Sequence, residues 1–318
     1  MKKLGIIGAG SIAPAHIEAA KLAGFQVVAV CGRSNSERAK ELANMYLGVA
    51  FCPSFKDIQK FDIDAVTIAV SVESTYEVLD QIIDWDLPIL VEKPVTSQLH
   101  EFDSLLARDN PRIMVAFNRR YYSSVIAFQR NLKSLENGLI QIDIPEMAWS
   151  KNFDLLEFRR YLLQNSVHVF DLIQYLFGEI EIVDILRSKN TQAGLFRLIS
   201  FTTRSEFIGT INLSFTTPNN FSIRVLSHSR LLELKPLESF NSYSGIEKHI
   251  DSPSGLAVYN LTSDIQWKID DDDKIVKPGF LKMYKEFLKL TESGQKPITG
   301  ASIRDAKSAV ELALRIGI

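Results

Sequence analysis

Apolar residues follow two rhythms along this chain. Through residue 118, unbroken apolar runs take turns with stretches of helical period. "KLGIIGAG" is such a run and stops at glycine. "SIAPAHIEAAKLAG" follows, with Ile12, Ala15, Ala19, Ala20 and Leu22 at helical spacing and Gly24 as its stop. "QVVAVCG" predicts a second strand, and Ser34 with Glu37 has capping-box spacing before the helix "ERAKELANMY". Strands "DAVTIAVS", "LPILVEKP" and "RIMVAFN" are separated by helices "STYEVLDQIIDW" and "SQLHEFDSLLAR". Val/Ile-rich strands without alternation, each followed by a helix, predict a parallel sheet covered on both faces.

Beyond residue 118 the rhythm changes. "GLIQIDIPEMAW", "EIEIVDILRSK", "LFRLISFTT", "SEFIGTINLSFTT", "FSIRVLSHSR" and "LLELKPLE" are strand-like, several alternate, and turn residues bound them. "DLLEFRRYLLQNSVHVFDLIQYLFG" is helical between them. Strands that cluster predict a largely antiparallel sheet. The expectation is an α/β chain of two domains, 1–118 doubly wound and 119–318 α+β.

Composition narrows the function classes. The chain has 318 residues, 46% hydrophobic and 23% charged, with a net charge of −2. That balance gives no polybasic field for nucleic acid or anionic lipid. No apolar run approaches the ~20 residues of a membrane helix. Two lysines open the chain, but the apolar run after them breaks at Gly8 and Gly10, too early for a signal peptide. Cys31 and Cys52 fit free thiols in a reducing cytoplasm. "DDDD" at 270–273 reads as a solvated turn, with a metal site as the sharper alternative. No histidine has metal-ligand spacing to another histidine or a cysteine, so no metal is proposed.

Gly8-Ala9-Gly10-Ser11-Ile12-Ala13 matches G-x-G-x-x-G/A between the first strand and the first helix. Gly8 would permit the tight turn, Gly10 the approach of a pyrophosphate, and Ala13 close packing of helix on strand. The helix N-terminus adds unpaired N–H groups and partial positive charge. A glycine turn needed only for packing is the bland alternative. "ILVEKPVTS", 89–97, ends a buried strand in a cation, and ligands of parallel sheets bind beyond C-terminal strand ends. Lys93 therefore aims at the ligand crevice.

With these landmarks placed, the chain resembles the Gfo/Idh/MocA oxidoreductases, on "GIIGAGSIAPAH", "DIDAVTIAV", "PILVEKPVT", "VAFNRRY", "SVHVFDLIQYLFGEI" and the segment "FLKLTESGQKPITGASIRDAKSAVELALRI". The resemblance implies an N-terminal Rossmann domain and a C-terminal domain on a large open sheet, which carries the substrate site and often a dimer or tetramer interface. It implies that Lys93 lies near the nicotinamide and substrate hydroxyl, with Glu92 as its neighbour, and that His168 exchanges the hydroxyl proton. A strand-end surface lysine and a satisfied core histidine are the bland readings of the two. Asp171 shares the helix face of His168 and would orient helix or ring.

Val70, Ser71 and Thr75 occupy the family's cofactor loop, Thr75 standing where a histidine is usual. Asn118 and Arg119 match its polar pair at the domain junction, and Arg120 and Tyr121 read as pocket wall or packing. Gln164 stands where many family dehydrogenases carry an aspartate and, with Asn165, would face substrate. Arg159 and Arg160 could clamp an anion, although a solvated helix face is the stronger reading. The strand "QVVAVC" ends in Gly32-Arg33-Ser34-Asn35 without a carboxylate for the ribose. Arg33 and Ser34 therefore favour NADP, with NAD the alternative. The expected substrate is a sugar, polyol or nucleotide-linked sugar. A cofactor-binding regulator with little turnover is the competing class, and a reductase of a non-sugar carbonyl uses the same fold.

Overall fold

The computed structural model describes residues 1–146, 155–188, 196–215, 217–251, 255–267 and 270–317. The end of the predicted strand "GLIQIDIPEMAW", 147–149, lies outside them. The first stretch runs β1 (Lys3–Ile7), α1 (Ala13–Ala23), β2 (Gln26–Cys31), α2 (Glu37–Asn44), β3 (Ala50–Cys52), β4 (Ala65–Ile68), α3 (Val72–Ile82), β5 (Ile89–Val91), α4 (Leu99–Ala107) and β6 (Ile113–Val115). All pairings are parallel, in the order β3-β2-β1-β4-β5-β6. This is the doubly wound Rossmann order. Its strands are buried on both faces, as unbroken Val/Ile runs require. The order reverses between β1 and β4, so a crevice opens beyond their C-terminal ends.

The chain continues through α5 (Ser123–Leu132), β7 (Gly138–Glu146), α6 (Leu155–Tyr161), a π-helical turn at Leu162–Ser166, and α7 (Val167–Phe177). Then come β8 (Ile180–Arg187), β9 (Phe196–Thr203), β10 (Phe207–Phe215), β11 (Ser222–Leu226), β12 (Leu231–Leu234), β13 (Phe240–Asp251) and β14 (Leu256–Trp267). These eight strands form one sheet, β14-β13-β12-β11-β7-β10-β9-β8, antiparallel except for β7 against β10. The long hairpin β13–β14 was not expected from the sequence, because its polar residues hide the alternation. Last come α8 (Asp271–Ile275), α9 (Phe280–Ser293) and α10 (Ile303–Gly317).

Two compact units result. The first comprises Met1–Tyr121, Leu162–Asp171 and Asp271–Arg315; the second comprises Tyr122–Tyr161, Leu172–Asp270 and Ile316–Ile318. A single cut after residue 118 does not express this, because two later segments return to the first unit. The apolar stripe of α9 explains one return. Phe280, Met283, Tyr284, Phe287 and Leu290 join Leu4, Ile6, Ile17 and Ala20 in one core. Burying such side chains contributes roughly 1.5–3 kcal/mol each. Tyr121, expected at a pocket wall or in packing, belongs to this core. The aspartates are no isolated turn: Asp273 is buried and accepts from Gly279 N at 3.0 Å, and Asp272 pairs with Lys285 at 2.9 Å.

Candidate active site

The glycine turn closes the C-terminal end of β1. Gly8 has φ +115°, and a Cβ there would lie 2.2 Å from the Ala69 carbonyl oxygen, so only glycine fits. At Gly10 a Cβ would meet nothing nearer than 3.8 Å. That open side is the space a pyrophosphate needs. Ile12 is the N-cap of α1 and offers no side-chain cap, Pro14 has no N–H, and Ala13 N donates to Gly10 O at 3.1 Å, so the helix end offers an anion its partial positive charge. Ala13 is fully buried. A cleft of about 640 Å³ runs past Gly8, Ala9, Gly10, Gly32, Arg33, Ser36, Ser54, Val70, Ser71 and Ser74. It sits where the strand order reverses, and its size and glycine cradle fit a dinucleotide.

Several expected cofactor residues sit elsewhere. Thr75 is buried and its hydroxyl donates to Ser71 O at 3.0 Å, so Ser74 faces the cleft in its place. Ser36, not Ser34, caps α2, accepting from Ala39 N at 3.3 Å. Ser34 and Arg33 are exposed, Arg33 lines the cleft, and Glu37 is paired with Lys40 at 2.7 Å. Asn118 is buried and donates to Pro278 O at 2.9 Å, an internal tie.

Beyond β5 the second constellation assembles, all within the first unit. Lys93 Nζ donates to Gln164 O at 2.6 Å. The π-helical turn makes this possible, because widening the helix exposes carbonyls that α-geometry would keep internal. Gln164 thus meets Lys93 through its backbone, a role no side-chain pattern announces. Arg119 Nη2 donates to Asn165 Oδ1 at 3.5 Å, the outer limit of a bond. His168 starts α7 and packs edge-on against Phe117, with ring centroids 5.8 Å apart. Its Nδ1 is buried without a hydrogen-bond partner. Burial, then the charges of Lys93, Arg119 and Lys277, hold the imidazole well below its ordinary value. The ring is therefore neutral at pH 7 and can accept a proton.

Asp171 does not orient that ring. It takes the fork of Arg120, with Nε donating to Oδ2 at 2.8 Å and Nη2 to Oδ1 at 2.5 Å. Burial pushes the Asp171 carboxyl up to about 6 against the pull of Arg120, so it is ionised at neutral pH. The pair fixes the helix that carries His168. The sequence read Arg120 as pocket wall or packing, since nothing local marks two residues 51 positions apart as partners.

A second network also escaped the sequence. Glu92 Oε1 lies 3.0 Å from His16 Nε2, His16 Nδ1 lies 2.8 Å from Tyr284 Oη, and Tyr284 Oη lies 3.0 Å from Thr67 Oγ1. Burial raises the Glu92 carboxyl, but His16 and Lys93 outweigh it and hold it below its ordinary value. An ionised Glu92 only accepts, so His16 Nε2 donates to it. His16 Nδ1 then shares a bond with the Tyr284 hydroxyl, which in turn bonds Thr67 Oγ1. Glu92 Oε2 also accepts from Lys93 N at 3.1 Å. The chain of bonds anchors the strand end that presents Lys93.

Comparison with known proteins agrees with this geometry. Residues 2–115 match the family described as "Oxidoreductase family, NAD-binding Rossmann fold", the Gfo/Idh/MocA family. Inositol 2-dehydrogenase 1 of Paenarthrobacter aurescens is 27% identical over 202 residues, 60% of this chain and 59% of that protein. The match thus spans little more than half the length of this curated relative. A dehydrogenase from Chromobacterium violaceum superposes with TM-score 0.78 at 18% identity, over 99% of this chain and 94% of that one. UDP-N-acetylglucosamine 3-dehydrogenase from Acidithiobacillus ferrooxidans gives TM-score 0.76 at 17% identity, over 99% and 96%. At such identities the structures speak for the fold alone. With the six-stranded parallel sheet and the glycine turn in place, residues 2–115 match the Gfo/Idh/MocA family of NAD-binding Rossmann-fold oxidoreductases.

Proposed function

We propose that this protein transfers a hydride between a nicotinamide dinucleotide and a hydroxyl or carbonyl carbon of a sugar, polyol or nucleotide-linked sugar. The observation that carries the reading is the convergence of Lys93 and a neutral, buried His168 on the π-helical turn, in the unit that holds the glycine cradle. The names of the relatives, inositol and nucleotide-sugar dehydrogenases, support the substrate class.

Gly8, Gly10, Ser11 and the end of α1 would hold the pyrophosphate, with Val70 and Ser71 on the opposite wall. The nicotinamide, when bound, supplies the hydride acceptor or donor. Lys93 orients the reacting oxygen with its ammonium and stabilises charge there. His168 accepts the hydroxyl proton during oxidation and returns it during reduction. The repulsion from Lys93, Arg119 and Lys277 makes His168 a ready donor once protonated. Arg119 and Asn165 stand beside this pair for substrate hydroxyls.

Arg33 at the cleft, with no carboxylate at the end of β2, favours NADP over NAD. Arg33→Ala should lower the ratio of NADPH to NADH affinity; an unchanged ratio sinks this preference. Free, buried Cys31 and Cys52 suit a reducing cytoplasm. The outer face of the second unit's sheet exposes Leu186, Leu198 and Ile208, which supports a homo-oligomer through that sheet.

The test is a screen of polyols, sugars and nucleotide sugars with both dinucleotides. Lys93→Ala and His168→Ala should each lower turnover about 100-fold or more while dinucleotide affinity changes little. Variants that keep wild-type turnover would overturn the assignment. A second reading, a sensor with little turnover, draws on Gln164, which puts an amide where the family often has a carboxylate. It requires dinucleotide binding with no turnover on any substrate.

A further inference from the structure

Among the described residues, the second unit buries a cation without a counter-charge. Arg197, on β9, is 5% exposed. Its Nε and Nη1 are buried and meet no hydrogen-bond acceptor. Phe158 of α6 lies under the guanidinium, 4.3 Å from ring centroid to Cζ, and is itself backed by Phe215. A stacked aromatic steadies a guanidinium but satisfies none of its N–H donors.

The neighbours make matters worse. Arg187 of β8 stands directly opposite Arg197 in the antiparallel register. Like charges facing each other across strands are destabilising. Burial, then Arg187 and Arg159, push the Arg197 guanidinium down to about 10. A buried donor without an acceptor has lost its water with no bond in return. A fold tolerates such an arrangement where something else completes it.

We propose that Arg197, with Arg187 and Arg159, forms a binding site for an anionic group, a phosphoryl or a carboxylate, in the second unit. Phe158 holds the planar fork in place, Arg197 supplies donors already stripped of water, and the two exposed arginines draw the anion in. The site rests on the second unit's own geometry and stands whether or not the hydride-transfer reading does.

The experiment is isothermal titration of the full chain carrying Arg33→Ala and Gly10→Glu, which disable phosphate binding in the first unit. The probes are inorganic phosphate, uridine diphosphate and D-glucuronate, with neutral myo-inositol as control. At least one anion should bind. Adding Arg187→Ala, an exposed change on an edge strand that leaves the core intact, should weaken it about fivefold or more, and Arg197→Met should abolish it. Binding of phosphate or the diphosphate assigns a phosphoryl ligand; binding of glucuronate alone assigns a carboxylate. Absence of binding by all three anions, a smaller loss in Arg187→Ala, or equal binding of myo-inositol overturns the proposal.

Discussion

Two buried arginines, one in each unit, are built in opposite ways. Arg120 holds both oxygens of Asp171, and a second carboxylate, Asp305, lies 3.6 Å away. Arg197 has an aromatic ring beneath it and arginines beside it. Both have left water, and desolvation is costly for each. At Arg120 the chain itself answers that cost, so the charge serves the architecture and positions α7. At Arg197 the described residues leave donors unanswered. A buried charge with a partner reports on the fold; one without reports on what the protein meets.

The largest way to break this contrast is Arg120→Met. It leaves Asp171 buried with no bidentate partner, and stability should drop by about 3–5 kcal/mol in urea unfolding. A drop below ~1 kcal/mol would mean that the pair holds little. Tyr284→Phe comes next. It removes the hydroxyl that bonds both His16 and Thr67 inside the core, and should cost about 1–3 kcal/mol. If Lys93 depends on this chain of bonds, turnover should fall in Tyr284→Phe while cofactor affinity stays.

His168 gives a pH test of smaller size. Its folded value lies well below the unfolded 6.5, so the unfolded chain binds the proton first as pH falls. The stability it contributes is full above 6.5 and drains away below it, by at most about 1.4 kcal/mol per pH unit. His168→Phe should flatten that slope between pH 6.5 and 5; an unchanged slope would place the titration elsewhere. The smallest effect belongs to Arg197→Met in unliganded protein, which should shift stability by less than about 1 kcal/mol, in the stabilising direction if any. A loss as large as that of Arg120→Met would erase the contrast.

Much of this was readable in advance where the signal is local. The glycine turn, the parallel sheet and the cation at the end of β5 each follow from residues adjacent in sequence. His168 was singled out by the motif around it. What stayed hidden depends on distant partners. Arg120 and Asp171, or His16, Glu92 and Tyr284, carry no pattern that pairs them. Ser34 resembled a cap because Glu37 follows at the right spacing, yet Ser36 took the position, one residue before the helix begins. The hairpin β13–β14 escaped because exposed strands need no strict alternation of polar and apolar residues. The π-helical turn has no sequence signature at all, and it is what brings the Gln164 carbonyl to Lys93.

The return of α9 to the first unit sets an order of assembly during synthesis. Tyr284 ends the bond chain that anchors Glu92, and its neighbours fill the gap beneath α1. Residues 1–121 leave the ribosome long before residue 280 exists. Domain-by-domain folding from the N-terminus, the usual economy of long chains, is closed to this unit. The core beneath α1 is completed only after the strands of the other sheet have been made. The floor of the glycine cradle therefore closes only once α9 has emerged.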